Sequence, residues 1–312
     1  MTYSPPNAFH GIYPSTLCPL TADLKVDEAG LGAHVRSLAQ VDGIAGVLAN
    51  GHAGENFLLS RSEKRQVLEV TRAALGDGQL MVAGVNAESS LDAADEARDA
   101  EAAGADAVMV FAPNAWALSQ PAPTAVRHHT YIRDATALPL MLFQGSVKAG
   151  QMAYPDAVLR ELVRLPGVVG IKEGSWETSA YEATRRLVAE EAPDVAVMAS
   201  GDEHLFTSYV LGSEGSLVSL AVLIPETIVA LNRAVKRGDL TSARELHATV
   251  YPLAKAIYGD PPPGRATPRL KGCLRLLGDF DNDLTRPPVA RLTADEETML
   301  RTVLSRIGLL SQ

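Results

Sequence analysis

Val168 to Trp176 read VVGIKEGSW, an apolar run of strand type that carries a lysine and a glutamate and stops at a glycine. Side chains on a strand alternate between its faces, so Lys172 falls in file with Val168 and Gly170 while Val169 and Ile171 share the other face. If both faces are buried, Lys172 closes a file in which Gly170 leaves room beside it. Burial penalises the ammonium form, so such an amine has a lowered pKa and is nucleophilic near neutral pH, as a Schiff-base lysine requires. The plain alternative is a strand-end lysine that snorkels to water or pairs with Glu173. The run alone leaves both open.

Working outward, similar short apolar runs begin at Gly11, Gly43, Leu80, Ala107, Pro139, Val195 and Gly215, which with Val168 gives eight strand candidates. Helix-like segments separate them: 28–40, 61–74, 89–103, 125–136, 155–164 and 178–190, rich in Ala, Leu, Glu and Arg. The spacing is that of a strand plus a crossover helix, which builds a parallel sheet. Eight such units, with no GxGxxG turn after any strand, fit a TIM (β/α)8 barrel better than a doubly wound sheet. The expected division is a barrel over residues 1–224 and a helical region over 225–312, interrupted by a Pro-rich turn, DPPPGRATPR, at Asp260 to Arg269.

With 28 Lys and Arg against 37 Asp and Glu, the 312-residue chain carries a formal net charge of -9. That balance disfavours nucleic acid or an anionic membrane as the main partner, but not a small anionic substrate, which a few backbone N–H groups can hold. The two cysteines, Cys18 and Cys273, are too far apart in sequence for a metal-spaced pair and suggest no disulfide framework. No apolar run is long enough for a membrane helix, and the start MTYSPPNAFHG lacks the pattern of a signal peptide. A cytoplasmic protein is expected.

A TIM barrel places its chemistry where the strands give way to loops at their carboxyl ends. Those positions here include Ser15 and Thr16, Asn50 to His52 with Glu55, Val85 and Asn86, Phe111 to Trp116, Phe143 and Gln144, Lys172 and Glu173, Gly201, Asp202 and His204, and Leu217 to Ser219.

Six segments in this order carry a resemblance: GIYPSTLCPLT, GHAGENFLLS, VVGIKEGS, SGDE, GSEGSLVS, and KGCLRLLG followed by RPP. Over nearly its whole length the chain resembles the dihydrodipicolinate synthase and N-acetylneuraminate lyase family, class I aldolases and dehydratases acting on pyruvate and related 2-keto acids. The resemblance implies that Lys172 forms a Schiff base with the ketone of the substrate, with no cofactor or metal. An iminium withdraws electrons from the neighbouring carbon, so a carbon–carbon bond, or water, can be lost without a metal. It also implies that the backbone N–H groups of His52 and Ala53 hold the substrate carboxylate, that Phe143, Gln144, Lys148 and Gly201 line the substrate site, and that Leu217 faces the lysine through its carbonyl. The family assembles as a homotetramer or dimer.

The chain departs from the family pattern where that pattern needs hydroxyls. The G-[ST]-T-G-E segment reads Gly51, His52, Ala53, Gly54, Glu55; the tyrosine at the end of strand five is Phe143; the tyrosine of the loop after strand four is Ala115, with Trp116 beside it; and the arginine for a second carboxylate matches Lys148. Phenylalanine neither gives nor takes a proton. Dihydrodipicolinate synthase activity is therefore not expected, and the proton carrier is left among His52, a water and the substrate's own groups. His52 is either an acid–base group or only a pocket wall. Glu55 and Glu173 read as structural acceptors, and Asp202, Glu203 and His204 as loop and cap residues rather than a metal cluster. Trp116 and Phe143 form either an aromatic wall or core packing. The reading is a Schiff-base lyase, aldolase or hydro-lyase, on a 2-keto acid; the second reading is a non-catalytic relative that binds such an acid or a protein partner.

Overall fold

Eight parallel strands form one sheet in the order β1-β8-β7-β6-β5-β4-β3-β2 in a computed structural model that describes residues 9–119, 121–261 and 264–310. The strands are β1 (Gly11–Pro14), β2 (Gly46–Ala49), β3 (Leu80–Val85), β4 (Ala107–Val110), β5 (Leu140–Gln144), β6 (Val168–Glu173), β7 (Ala196–Ala199) and β8 (Gly215–Val218). Parallel bridges Ile12 to Ile44 and Ser15 to Leu48 join the two end strands, with Thr16 N–H donating to Leu48 O at 3.0 Å. The sheet thereby closes into the expected TIM barrel.

Helices α1 (Glu28–Ala39), α2 (Arg61–Ala74), α3 (Ser90–Ala102), α4 (Ala122–Ala135), α5 (Asp156–Val163) and α6 (Thr178–Glu191) follow the first six strands, close to the spans read from the sequence. The α4 helix starts three residues earlier than expected because Pro123 is tolerated in a first turn, where its missing N–H has no partner to lose. Ser60 and Glu63 start α2 with a reciprocal capping box. A short α7 (Leu205–Val210), which the periodicity did not reveal, follows β7.

Two apolar layers hold the barrel. Tyr13, Leu48, Met109, Phe111, Met141, Met198 and Leu217 fill its interior, and a second cluster packs the outer strand faces against the helices. Strands covered on both faces read as continuous apolar runs, which is why they stand out in the sequence.

One register detail corrects the alternation along VVGIKE. Leu140 pairs with Val168 but Met141 pairs with Gly170, so Val169 has no opposite number on β5. This bulge turns Val169 toward the interior cluster while Val168 and Ile171 pack outward, so Lys172 does not share a file with Val168. Nor is the space beside Gly170 empty, for a Cβ there would stand 2.8 Å from Met141 Cε.

Residues beyond 224 do not begin as an appendage. Helix α8 (Pro225–Lys236) packs on α7 and β1 as the eighth barrel helix, so the added part is α9 (Leu240–Ala254), α10 (Ala266–Leu277) and α11 (Ala294–Arg306). A π turn, Lys255–Gly259, ends α9. Of the expected Pro-rich turn, Pro262 and Pro263 lie outside the described residues, and Ala266 to Arg269 are already the first turn of α10. This added part is bolted to the barrel mouth: Lys271 Nζ donates to Glu55, and Arg286 donates through its N–H to Glu55 at 3.2 Å and through its guanidinium to Leu58 O at 2.9 Å. Among the described residues no helix is long and apolar enough to cross a membrane.

Candidate active site

At the carboxyl ends of the strands a cavity of about 240 Å³ holds Lys172, His52, Ala53, Phe143, Trp176, Asp202 and Tyr258 in its wall. Larger clefts, of about 650, 600, 370 and 280 Å³, lie elsewhere: on α9 with α11, on α1 with α8, on α3 with α4, and beside the loop after β5. None of these clefts holds Lys172, so the cavity at the strand ends is the candidate site.

Lys172 is 8 % exposed, at the end of β6 in register with Phe143 on β5 and Met198 on β7. Burial lowers its pKa to about 8, and Asp202 opposes part of that drop. The Phe143 ring centroid lies 5.6 Å from Nζ, within reach of a cation–π contact that favours the charged form. An amine with this pKa keeps a useful neutral fraction at pH 7 to 8.

His52 and Ala53 come from a 3-10 turn directly after β2. Hydrogen bonding of this turn starts with Gly54 N–H, which donates to Gly51 O at 3.0 Å. The His52 ring stacks on Phe111 at 4.2 Å between centroids and meets Phe143 edge-on at 5.4 Å. Its pKa is lowered, first by loss of solvent and then by the Lys172 charge, although the residue is exposed, which moderates the first effect. The imidazole thus stands among aromatic rings in the cavity wall.

Asp202 follows β7 and is 2 % exposed. Its Oδ1 accepts from Leu220 N–H at 2.9 Å, which fixes the carboxylate to the loop after β8. That is the expected loop role, but the same carboxylate also faces the cavity, where burial raises its pKa to about 7 against the lowering pull of the Leu220 N–H and Lys172. The sequence put Asp202, in SGDE, among the strand-end positions but read it as a loop or cap residue, so its place in the cavity wall was missed. Tyr258 was missed as well. It comes from the π turn after α9, packs on Trp176 at 4.9 Å between centroids, and carries no local motif.

The cavity does not gather every expected residue. Gln144 turns away to clamp the loop after β5: its Nε2 donates to Tyr154 O at 3.0 Å and its Oε1 accepts from Tyr154 N–H at 2.8 Å. Lys148 lies exposed in that loop, outside the cavity wall. Gly201 sits at the rim between Ser200 and Asp202, which both line the cavity, and the Leu217 side chain belongs to the barrel interior. Trp116 packs edge-on against His128 at 5.4 Å, away from Lys172, so the aromatic wall is built by Phe143, Phe57, His52, Trp176 and Tyr258 instead. Glu55 accepts from Lys271 and Arg286, and Glu173 from the Ser175 hydroxyl at 3.0 Å, both as structural acceptors. Among the described residues no group of three or more His, Cys, Asp or Glu is placed to hold a metal ion.

The fold is thus a (β/α)8 barrel with a buried lysine at the end of its sixth strand. The dihydrodipicolinate synthetase family model matches residues 8–307, and the chain belongs to that family. It is 30 % identical over 304 residues to the 4-hydroxy-tetrahydrodipicolinate synthase of Methanopyrus kandleri, covering 97 % of each chain. To the protein of that name from Methanospirillum hungatei it is 30 % identical over 302 residues, covering 96 % of this chain and 99 % of the other. Among solved structures, that of YagE, a prophage protein of the dihydrodipicolinic acid synthase family from E. coli K12 in complex with pyruvate, superposes with a TM-score of 0.88. It shares 23 % identity over 96 % of this chain and 99 % of the other.

Proposed function

We propose that the protein is a Schiff-base lyase, an aldolase or a hydro-lyase, acting on pyruvate or a substituted 2-keto acid through Lys172. The observation that carries this reading is a lysine amine buried at the mouth of β6 in the wall of a cavity, with its pKa lowered to about 8. Such an amine attacks a ketone carbon, and loss of water from the adduct leaves an iminium that draws electrons from the adjacent carbon. The substrate carboxylate is assigned to the N–H groups of His52 and Ala53, which stand in the cavity wall ahead of the first hydrogen bond of their turn. Pyruvate in the related YagE structure agrees with a small keto acid as ligand.

The curated relatives carry the synthase name, but three positions of this chain argue for a different reaction. Phe143, Ala53 and Ala115 stand where the family pattern calls for hydroxyls. Lys148, matched to the family's arginine for a second carboxylate, lies outside the cavity, whose lining offers Lys172 as its cation. A keto acid with one carboxylate and a neutral remainder fits that lining. A homo-oligomer remains our expectation for the assembly.

The test is borohydride reduction in the presence of pyruvate and a panel of other 2-keto acids, followed by mass mapping. An adduct on the peptide holding Lys172 is expected. Absence of any adduct across the panel would sink the reading and leave the non-catalytic one. Turnover then separates the reactions: release of pyruvate marks aldol cleavage, loss of water without carbon–carbon scission marks a hydro-lyase, and turnover of pyruvate with aspartate semialdehyde would restore the synthase assignment.

A further inference from the structure

We propose that Asp202 carries the protons of the Schiff-base reaction in this chain, with Tyr258 as the residue that positions its carboxylate. The inference rests on the Lys172 reading. Both residues stand in the wall of the cavity that holds Lys172, Asp202 from the end of β7 and Tyr258 from the π turn after α9. The Leu220 N–H bond engages Oδ1. The Tyr258 hydroxyl is buried without a well-aligned hydrogen bond among the described residues, yet it lies close enough to Asp202 and to Ser219 to feel both. A buried hydroxyl left in that state costs free energy unless a ligand or a moving proton uses it.

The chemistry closes with one group. Lys172 Nζ forms a bond to the ketone carbon as the carbonyl electrons move to oxygen, and a proton passes from nitrogen to that oxygen, giving the carbinolamine. The Asp202 carboxylic acid then gives its proton to the departing hydroxyl; the carbon–oxygen bond breaks, water leaves, and the nitrogen lone pair completes the iminium. The resulting Asp202 carboxylate takes a proton from the carbon beside the iminium, and the freed electron pair forms the enamine. One proton is given and one is taken, so Asp202 ends in its starting form. Burial supports this role by lifting its pKa to about 7, near that of the amine it serves. Tyr258 is held protonated by the same burial and the Asp202 charge, which suits a hydrogen-bond donor rather than a base.

The groups that act on this carboxylate are the Leu220 N–H after β8, Lys172 on β6 and Tyr258 on the π turn; Tyr209 on α7 feels its charge, and Glu203 and His204 are its neighbours on its own turn. The experiment follows exchange of the C3 protons of pyruvate and 2-oxobutanoate with solvent deuterium, alongside borohydride trapping, in wild type, Asp202→Asn and Tyr258→Phe. Wild type is expected to trap and to exchange. Asp202→Asn should still trap an adduct while exchange falls at least about 100-fold, and Tyr258→Phe should lose less rate but shift the pH midpoint of exchange. Exchange at the wild-type rate in an Asp202→Asn protein that traps the adduct overturns the proposal and leaves the Lys172 reading intact; no adduct in wild type overturns both. Should Asp202→Asn fail to fold, Asp202→Glu keeps the acid and is expected to exchange with a displaced midpoint, and an unmoved midpoint counts against the proposal.

Discussion

Lys271 on α10 donates to Glu55 in the turn after β2, and both side chains are almost wholly buried, at 0 % and 2 % exposure. The pair ties the added helices to the segment that carries His52 and Ala53. Breaking it from one side leaves an uncompensated charge in a dry place, which costs far more than an exposed pair is worth. Lys271→Met is expected to destabilise the protein by about 3–5 kcal/mol, read by chemical denaturation. Lys271→Met with Glu55→Gln should recover much of that loss.

Lys172 presents the opposite case, a buried amine without a close carboxylate bond. Lys172→Met replaces an ammonium that the fold disfavours with a side chain of similar length. Adduct formation should vanish while the melting temperature holds or rises. In wild type the trapping rate should climb as pH passes through about 8, because the amine loses its proton there and only the neutral form attacks. A flat profile from pH 6 to 9 would contradict a lowered pKa.

The barrel was legible because strands buried on both faces write themselves as apolar runs at regular spacing, and Lys172 was legible because a charge interrupts such a run at its mouth. His52, Ala53 and Phe143 follow from the same rule applied to neighbouring strand ends. The bulge at Val169 was not legible, since alternation assumes an unbroken register and nothing in VVGIK marks the extra residue. Gln144 and Lys148 were placed by position along the chain, whereas the loop after β5 closes on Tyr154 and carries them off. Tyr258 was beyond reach for a different reason. It enters from a helix that sequence spacing assigns to an appendage, and only tertiary packing brings it to the mouth.

Glu173, beside the lysine in sequence, points into the outer layer and accepts from Ser175 and, at 3.5 Å, from Thr184. Burial raises its pKa from 4.5 to about 7, with the Ser175 contacts opposing. The folded state thus binds this proton more tightly than the unfolded chain does. The stabilisation is complete below about pH 4.5 and is lost as pH rises through 7. Glu173→Gln removes this slope, so thermal melts at pH 5 and pH 8 should differ less in the variant than in wild type. An unchanged difference would mean that the carboxylate is already solvated.

Two glycines on this strand and its exit separate a hard obstacle from a soft one. A Cβ at Gly174 would meet the Gln144 carbonyl oxygen at 2.9 Å, the same backbone oxygen that accepts from Gly174 N–H at 2.9 Å. A Cβ at Gly170 would meet the Met141 terminal methyl at 2.8 Å, the far end of a flexible side chain. Backbone held by a strand-end hydrogen bond cannot retreat cheaply, whereas a methionine can change rotamer. Gly174→Ala is expected to cost about 1–3 kcal/mol and Gly170→Ala distinctly less, measured as the shift in denaturation midpoint at constant slope. Since Gly174 also stands against the Phe143 ring, at 3.2 Å from the added Cβ, its substitution should slow borohydride trapping on Lys172 as well, while Gly170→Ala leaves the cavity wall in place. Equal costs, or slowing only in Gly170→Ala, would place the tight contact of β6 below the lysine rather than above it.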